Sequence, residues 1–277
     1  MLEAFAKVNL SLRVRGRDPA GLHPLRSLVT SVDWADTVAL EDAEADAMIV
    51  HGDPSVPDDT SNLAWRGAEA MRRAAARSDA MRVTVAKRVP SAAGLAGGSA
   101  DAAAALVLAA RRFGVAESVR DAEAPRLGAD VAFCLVGGTA WMEGYGERVT
   151  ALPAGADYAM AIVVPPFPLA TADVYRRWDE LGGPTGPAIE GRALPVSLRA
   201  HAPLHNDLYP AAVSLVPDLG DHAADLARRW SVPVAMSGSG PALFGLFPTA
   251  GEAAGAVEAA GPVRAARACR PVSSGWR

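Results

Sequence analysis

Cysteine is scarce in this sequence. Cys134 and Cys269 are the two present among 277 residues, and they stand far apart. They form no CxxC pair and no disulfide ladder, which argues against a disulfide-stapled secreted domain. We therefore expect a reducing cytoplasmic location. Cys134, in the apolar run VAFCLV, is interpreted as a small buried hydrophobe.

Long apolar runs are also missing. The longest candidate, AMAIVVPPFPL, is broken by prolines, and no run approaches the ~20 residues that a membrane-spanning helix needs. The first ten residues, MLEAFAKVNL, carry an acid at Glu3 and lack the extended apolar stretch of a signal peptide. The sequence thus predicts no membrane partner.

An excess of positive charge is the third absence. Lys plus Arg total 27 against 31 for Asp plus Glu, a net charge of −4. A nucleic-acid coat needs a basic surface to displace counterions, so we expect no nucleic-acid partner. A local pocket for a small phosphorylated ligand stays open. Half the residues are apolar, and the length suits two domains that share a cleft.

The order of predicted elements indicates a mixed α+β chain. Period-two alternation and turn signals predict strands at 4–16, 26–42 (broken near WAD), 46–53, 80–90 and 137–152. Helix signals place helices after a cap at Thr60 or Ser61, at about 99–113, near 118–124 and at 129–136.

The pattern resets at PAGADY, which predicts a domain boundary near 155 and lobes of 1–155 and 156–277. The second half reads as a buried strand, a helix capped by Thr171, a long Gly/Pro-rich loop over 182–197, two helices separated at Pro217, and a strand–turn–strand–helix–strand ending. His201 and His205 are four apart, but Pro203 between them breaks a helix, so we interpret them as loop residues.

The stretch PSAAGLAGGSAD at 90–101 stands directly before a helix-prone alanine run. A helix N-terminus offers unpaired N–H groups and partial positive charge, and glycines let the backbone approach an anion. Ser99 suits either a cap or a hydroxyl ligand, and Asp101 suits the first turn. From the loop alone, a phosphate cradle and a plain tight turn are equally good interpretations. A Walker A loop is excluded because no lysine follows, and the glycine spacing excludes a dinucleotide GxGxxG.

The loop does resemble the phosphate loop of the GHMP kinases, with Ala96 where Gly or Ser is commoner. Three further stretches resemble the 4-diphosphocytidyl-2-C-methyl-D-erythritol kinase family within that superfamily, in the family's order. They are the opening AFAKVNLSLRVRGRDPAGLHPLRSLVTSVDWADTV, the segment RLGADVAFCLVGGTAWMEGYGERV, and MSGSGPALFGLF. The resemblance implies two lobes, a ribosomal-protein-S5-domain-2-like N-terminal lobe and a ferredoxin-like C-terminal lobe, with the active site in the cleft.

The resemblance also implies catalytic roles. Lys7 in AKVN and Asp130 in GADV hold the positions of a lysine and aspartate at the acceptor hydroxyl, with Asp130 as the base. Taken alone, Lys7 is better explained as an edge-strand lysine and Asp130 as the N-cap of the helix at 129–136.

Substrate contacts are implied in the same way. Asn9 matches a residue near the acceptor polyol, His23 one that hydrogen-bonds the cytosine edge, and Tyr175 an aromatic that stacks on the base, while Thr171 is implied to line the site. Leu22 departs from the pattern, since the family has a base-stacking tyrosine there.

ATP and Mg²⁺ are the implied cofactors, with Mg²⁺ arriving on ATP and no side chain assigned to it. The implied ATP-binding residues are Pro90, Ser91, Ala92, Ala93, Gly94, Leu95, Ala96, Gly97, Gly98, Ser99 and Ala100, together with Asn62 and Lys87 near the adenine. The implied activity is phosphorylation of the cytidyl diphosphate of methylerythritol by a monomer or weak homodimer. Two alternatives remain: a GHMP kinase for homoserine or a mevalonate-like acid, and a non-catalytic sensor on the same fold.

Overall fold

The computed structural model describes residues 1–153 and 157–277. Strands and helices are mixed along the chain, with two short 3-10 helices at Gly191–Ala193 and Val196–His201. The strands are β1 Leu2–Val14, β2 Leu25–Asp42, β3 Ala47–His51, β4 Met81–Ala86, β5 Thr139–Gly144, β6 Arg148–Ala151, β7 Ala159–Val164, β8 Val234–Met236, β9 Leu243–Phe247 and β10 Ala265–Cys269. The helices are α1 Leu63–Ala74, α2 Gly97–Phe113, α3 Glu117–Leu127, α4 Ala129–Val136, α5 Thr171–Glu180, α6 Tyr209–Leu215, α7 Pro217–Trp230 and α8 Ala250–Glu258.

The first lobe is built on a six-stranded sheet centred on β2. This 18-residue strand is continuous, so the predicted break near WAD is wrong. Its first half pairs antiparallel with β5 and its second half with β4, while β1 runs along it for most of its length. Helices α1, α2 and α4 cover one face, because alternate residues of β1, β2 and β4 join their alanines and leucines in one apolar core.

The second lobe carries an antiparallel sheet in the order β10-β7-β9-β8. Numbered within the lobe, that order is 4-1-3-2, the ferredoxin-like arrangement of two split βαβ units. The predicted α+β class and two-lobed architecture are thereby confirmed, as are the two helices that meet at Pro217.

A third apolar cluster joins the lobes. Ala6, Val8 and Leu10 of β1 pack with Ile162 of β7 and Phe244 of β9. Because side chains alternate along a strand, the same stretch of β1 turns Lys7 and Asn9 to the opposite face. The joined lobes therefore fix where those two polar residues lie.

The predicted boundary at residue 155 lies outside the described residues. Structure on either side shows that the lobes do not divide the chain at one point. Residues after β10 return to the first lobe, where Phe5 N–H donates to Gly275 O (2.9 Å) and Val272 N–H to Ser31 O (2.9 Å). Trp276 also packs against the first core. The second lobe therefore ends near Cys269.

Among the described helices, none is long and apolar enough to cross a bilayer.

Candidate active site

A cavity of about 1230 Å³ lies where the two lobes meet. Most of the residues predicted from the sequence line it: Lys7, Asn9, His23, Lys87, Pro90, Ser91, Ala92, Ala93, Gly94, Ala96, Gly97, Gly98, Ser99, Asp130, Thr171 and Tyr175. Leu95, Ala100 and Asn62 are buried beside it without lining it. The fold thus gathers residues from β1, the segment that follows β4, the 90–98 loop, α4 and α5 into one space.

The 90–98 loop is held in shape by its backbone. Ala92 and Ala96 adopt left-handed φ values of 49° and 54°, each at a cost of roughly 1–2 kcal/mol for a residue with a Cβ. Gly94 has φ 78°, and a Cβ there would lie 2.3 Å from Ser237 O. Leu95 O accepts a hydrogen bond from Lys7 N–H (3.0 Å), and Ala93 O accepts one from Ala242 N–H (3.0 Å). The loop is therefore hydrogen-bonded to both lobes.

Helix α2 begins at Gly97, two residues earlier than predicted. Its N-cap is Ala96, and no side chain in the described part of the chain caps its first amides. The interpretation of Ser99 as the cap is therefore wrong: Ser99 lies inside the first turn and faces the cavity. Uncapped amides at the start of a 17-residue helix form an anion site, which favours the cradle over the plain turn.

A buried charge cluster supports this loop from below. Lys87 Nζ lies 2.5 Å from Asp36 Oδ2 and 2.7 Å from Asp101 Oδ2. Asp36 also accepts from the backbone N–H groups of Arg88 and Val89. A Cβ on Gly97 would lie 3.2 Å from Lys87 Nζ, so the helix start rests directly on the cluster.

The cluster shifts the pKa values of Lys87 and Asp101. Burial opposes the Lys87 charge, but the carboxylates of Asp101 and Asp36 outweigh it and raise the pKa of Lys87. Burial raises the pKa of Asp101 to about 7, against the lowering effect of Lys87. Asp101 was expected to interact with the helix dipole in the first turn. It lies deeper and binds Lys87 instead.

Lys7 and Asp130 meet at the cavity wall. Lys7 Nζ lies 3.4 Å from Asp130 Oδ2 and donates to Asn9 Oδ1. The Lys7 side chain is 5% exposed and that of Asp130 is 32% exposed, so the carboxylate is the partner that opens into the cavity. Pairing irregularities in β1 between Phe5 and Lys7 and after Asn9 aim these side chains inward. Lys7 is therefore no edge lysine, and the N-cap of α4 is Gly128 rather than Asp130.

Asn9 is fixed by neighbours from two lobes. Its Nδ2 donates to Ser27 Oγ (2.8 Å) and its backbone N–H to Ser237 Oγ (3.0 Å). Ser237 Oγ in turn donates to Gly94 O (2.9 Å), which links the loop to β1. With its amide nitrogen on Ser27, Asn9 turns Oδ1 to the Lys7 ammonium.

His23 and Tyr175 form an aromatic wall at another part of the cavity, with ring centroids 5.3 Å apart. His23 Nδ1 lies 2.9 Å from Arg15 O, so that nitrogen carries the proton it donates. Its Nε2 lies 3.3 Å from Asp179 Oδ2 and 3.4 Å from Arg17 Nε. Burial, with the nearby Asp130 charge, raises the pKa of Tyr175 to about 12.

Two predicted helix caps are wrong. Asn62, not Thr60 or Ser61, caps α1: its Oδ1 accepts from Ala64 N–H (2.9 Å) and its Nδ2 donates to Pro57 O (2.6 Å). Its side chain is fully engaged in that turn. Ala170, not Thr171, is the N-cap of α5, and the Thr171 hydroxyl is 2.8 Å from Ser239 Oγ.

Several lining residues were not singled out from the sequence: Arg17, Arg126, Tyr145, Glu147, Gly238 and Ser239.

The amino-acid composition contains one signal for the buried charges of the site. The chain has only two lysines, Lys7 and Lys87, among 27 basic residues, which leaves 25 arginines. Both lysines are buried beside carboxylates in this cavity. A compact ammonium fits where a planar guanidinium does not.

Among the described residues, no group of three or more His, Cys, Asp and Glu side chains is arranged to hold a metal ion.

Comparisons with known proteins show the family of this chain. The model of the GHMP kinases N terminal domain matches residues 62–138. A 4-diphosphocytidyl-2-C-methyl-D-erythritol kinase from Desulfitobacterium hafniense (strain Y51) is 36% identical over 260 residues, 89% of this chain and 86% of that protein. One from Geobacter metallireducens (strain ATCC 53774 / DSM 7210 / GS-15) is 36% identical over 264 residues, 93% of this chain and 92% of that protein.

Solved structures show the same relation. A crystal structure of 4-(cytidine 5'-diphospho)-2C-methyl-D-erythritol kinase superposes with a TM-score of 0.81 at 32% identity, covering 98% of this chain and 99% of that one. Homoserine kinase from Cytophaga hutchinsonii ATCC 33406 shares the fold, with a TM-score of 0.72 at 18% identity over 100% of this chain and 96% of that one. The chain belongs to the 4-diphosphocytidyl-2-C-methyl-D-erythritol kinase family of GHMP kinases.

Proposed function

We propose that this chain transfers the γ-phosphoryl group of ATP to the 2-hydroxyl of 4-diphosphocytidyl-2-C-methyl-D-erythritol. The products are the 2-phosphate and ADP, in the non-mevalonate (methylerythritol phosphate) route to isoprenoid precursors. One observation carries the proposal: the Lys7–Asp130 pair lies between an anion site and an aromatic wall. Lys7 N–H donates to Leu95 O of the loop, and Asp130 and Tyr175 line the same cavity.

The reaction needs few groups from the protein. The acceptor O–H bond breaks, a new O–P bond forms to the γ-phosphorus, and the bond from that phosphorus to the β-bridging oxygen breaks as ADP leaves. Asp130 takes the hydroxyl proton, and a positioned base of this kind contributes about 10²- to 10⁴-fold. Lys7 stabilises negative charge on the acceptor oxygen or the phosphoryl group. Asn9 holds the Lys7 ammonium in place.

ATP phosphates would lie against the backbone of the 90–98 loop and the amides of Gly97, Gly98 and Ser99, with the Ser99 hydroxyl as a further donor. Leu95 and Ala100 support this loop from inside the core. The side chains of Asn62 and Lys87 are engaged by Pro57 and by the two carboxylates, so we propose that they shape the nucleotide site from behind.

Mg²⁺ would arrive with ATP and neutralise charge on its phosphates when bound. The Asp130 carboxylate and the Ser99 hydroxyl are oxygen donors that suit this hard cation. We assign no side chain as its ligand.

The acceptor's cytosine would lie against Tyr175, with its edge toward His23 and Arg17. Arg17 presents guanidinium N–H donors, and the His23 Nε2 and Asp179 carboxylate beside it are acceptors. A cytosine edge carries both donors and acceptors. Thr171, hydrogen-bonded to Ser239, completes this side of the site.

We also propose that the protein is cytoplasmic, is a monomer or weak homodimer, and has no nucleic-acid or membrane partner.

The test is an ADP-release assay with ATP, Mg²⁺ and each of three acceptors: the cytidyl diphosphate of methylerythritol, homoserine and mevalonate. We expect ADP with the first acceptor alone. ADP only with homoserine or mevalonate would contradict the proposal and assign the chain to another alcohol. Nucleotide binding without turnover on any acceptor would favour a sensor.

A further inference from the structure

Two exposed side chains, Leu22 and Tyr145, line the cavity. Leu22 is 53% exposed and Tyr145 is 40% exposed, and both line the cavity together with His23 and Tyr175. Tyr175 packs against the second core, whereas Tyr145 belongs to none of the three apolar clusters. An aromatic ring that the core does not use is available to a ligand.

Tyr145 is nevertheless held firmly. It occupies the turn between β5 and β6, flanked by Gly144 and Gly146 at φ 73° and 111°. Its backbone N–H donates to Glu147 Oε2 (2.6 Å), and its hydroxyl donates to Asp18 Oδ2. The ring is thus fixed at its main chain and at its tip.

The same aspartate organises the segment that carries Leu22. Asp18 Oδ1 accepts from Ala20 N–H (2.9 Å) and Leu22 N–H (3.0 Å). One carboxylate therefore ties the Tyr145 ring to the turn that positions Leu22. The Tyr145 hydrogen bond also lowers the pKa of Asp18.

A planar base has two faces to cover. Tyr175 offers a ring for one face, and Leu22 offers aliphatic contact without stacking. Aromatic stacking on a base strengthens binding about tenfold or more per ring.

We propose that Tyr145 determines specificity for the pyrimidine-bearing acceptor by packing its ring against the base beside Leu22. This inference rests on the proposed function, because that acceptor supplies the base. Asp18 acts as a positioning residue for the ring.

The test compares Tyr145→Leu, which removes the ring, with Tyr145→Phe, which removes only the Asp18 hydrogen bond. The probe is cytidine 5′-diphosphate, measured by calorimetry, with the KM for ATP as a second readout. We expect Tyr145→Leu to weaken the probe about tenfold or more, Tyr145→Phe about threefold or less, and neither to change the KM for ATP. Equal losses in the two variants would show that Tyr145 acts only as a tether for Asp18 and would overturn the proposal.

A rescue variant separates stacking from folding. Leu22→Tyr in the Tyr145→Leu background returns an aromatic ring to the same wall, and we expect it to recover most of the lost affinity. Leu215→Ala, on an equally exposed leucine outside the cavity, serves as the matched control. If Tyr145→Leu binds the probe as the wild type does, while the wild type turns over the cytidyl substrate, this inference fails and the proposed function stands. A wild type that does not bind cytidine 5′-diphosphate contradicts both.

Discussion

The two ends of the cavity recognise their ligands by different means. At the loop end, backbone amides from one continuous segment face the cavity, and a buried lysine–carboxylate cluster supports them. At the other end, side chains from the β1–β2 connection, the β5–β6 turn and α5 line the cavity together. The loop end is therefore built from one short continuous segment, whereas the other end is built from side chains that are distant in the sequence. The Lys7–Asp130 pair lines the same cavity.

The largest effect should come from the pair itself. Asp130→Asn keeps the size of the side chain but removes the proton acceptor, so we expect kcat to fall about 10²- to 10⁴-fold. Affinities for an ATP analogue and for the cytidyl substrate should stay within about threefold, because both ends are intact. Single-turnover kinetics with both ligands saturating measure this. Full turnover would show that the base is misassigned.

Gly94→Ala should damage the loop end alone. A Cβ would approach Ser237 O to 2.3 Å at a φ of 78°, so the loop must shift at a cost of about 1–3 kcal/mol. We expect a raised KM for ATP with an unchanged Kd for cytidine 5′-diphosphate. Gly255→Ala is the matched control, since its Cβ would meet nothing within 4 Å and the residue does not line the cavity. Similar behaviour of the two variants would contradict the role of loop geometry.

His23→Leu should weaken binding of cytidine 5′-diphosphate and leave the KM for ATP unchanged. The change removes the ring nitrogens near Arg17 and Asp179 but keeps an apolar side chain. We expect cytidine 5′-diphosphate to bind roughly tenfold more weakly, the loss of about one hydrogen bond, with the KM for ATP unchanged. A rise in the KM for ATP of the same size would mean that the two ends are not separate.

The smallest effect concerns pH and the charge cluster under the loop. The pKa of Asp101 rises from about 4 in the unfolded chain to about 7 in the folded one, so the folded state holds a proton that the unfolded state loses. Its contribution to the free energy of unfolding is therefore fully present below about pH 4 and declines as pH rises to about 7, by at most about 1.4 kcal/mol per pH unit. Asp101→Asn cannot titrate and should flatten that decline. Chemical denaturation at pH 5, 6 and 7 measures it, and identical slopes in both proteins would contradict the assignment.

The sequence predicted some features of the fold and the site better than others. The resemblance to the kinase family, carried by contiguous motifs, implied Lys7, Asp130, Asn9 and the two-lobed fold, whereas the residues alone indicated an anion site only as one of two equal interpretations of the loop. The caps at Asn62 and Ala170 were misplaced by one or two residues, since several polar residues compete at each helix start.

Contacts between distant segments could not be read from the sequence. The cluster under the loop pairs Lys87 with Asp36, 51 positions earlier, and Tyr145 reaches Asp18 across 127 positions. Only the packing of the sheet brings these residues together. The rarity of lysine was the one sequence signal that would have pointed to Lys87 as a buried charge.

The most direct test of this account is the identity of the phosphorylated atom. The chain should be incubated with ATP, Mg²⁺ and the cytidyl diphosphate of methylerythritol, and the product analysed by ³¹P and ¹³C NMR. We predict one new phosphate ester, on the 2-hydroxyl, in a one-to-one ratio with ADP. Release of inorganic phosphate with the acceptor unchanged, or an ester on another hydroxyl, would contradict the account.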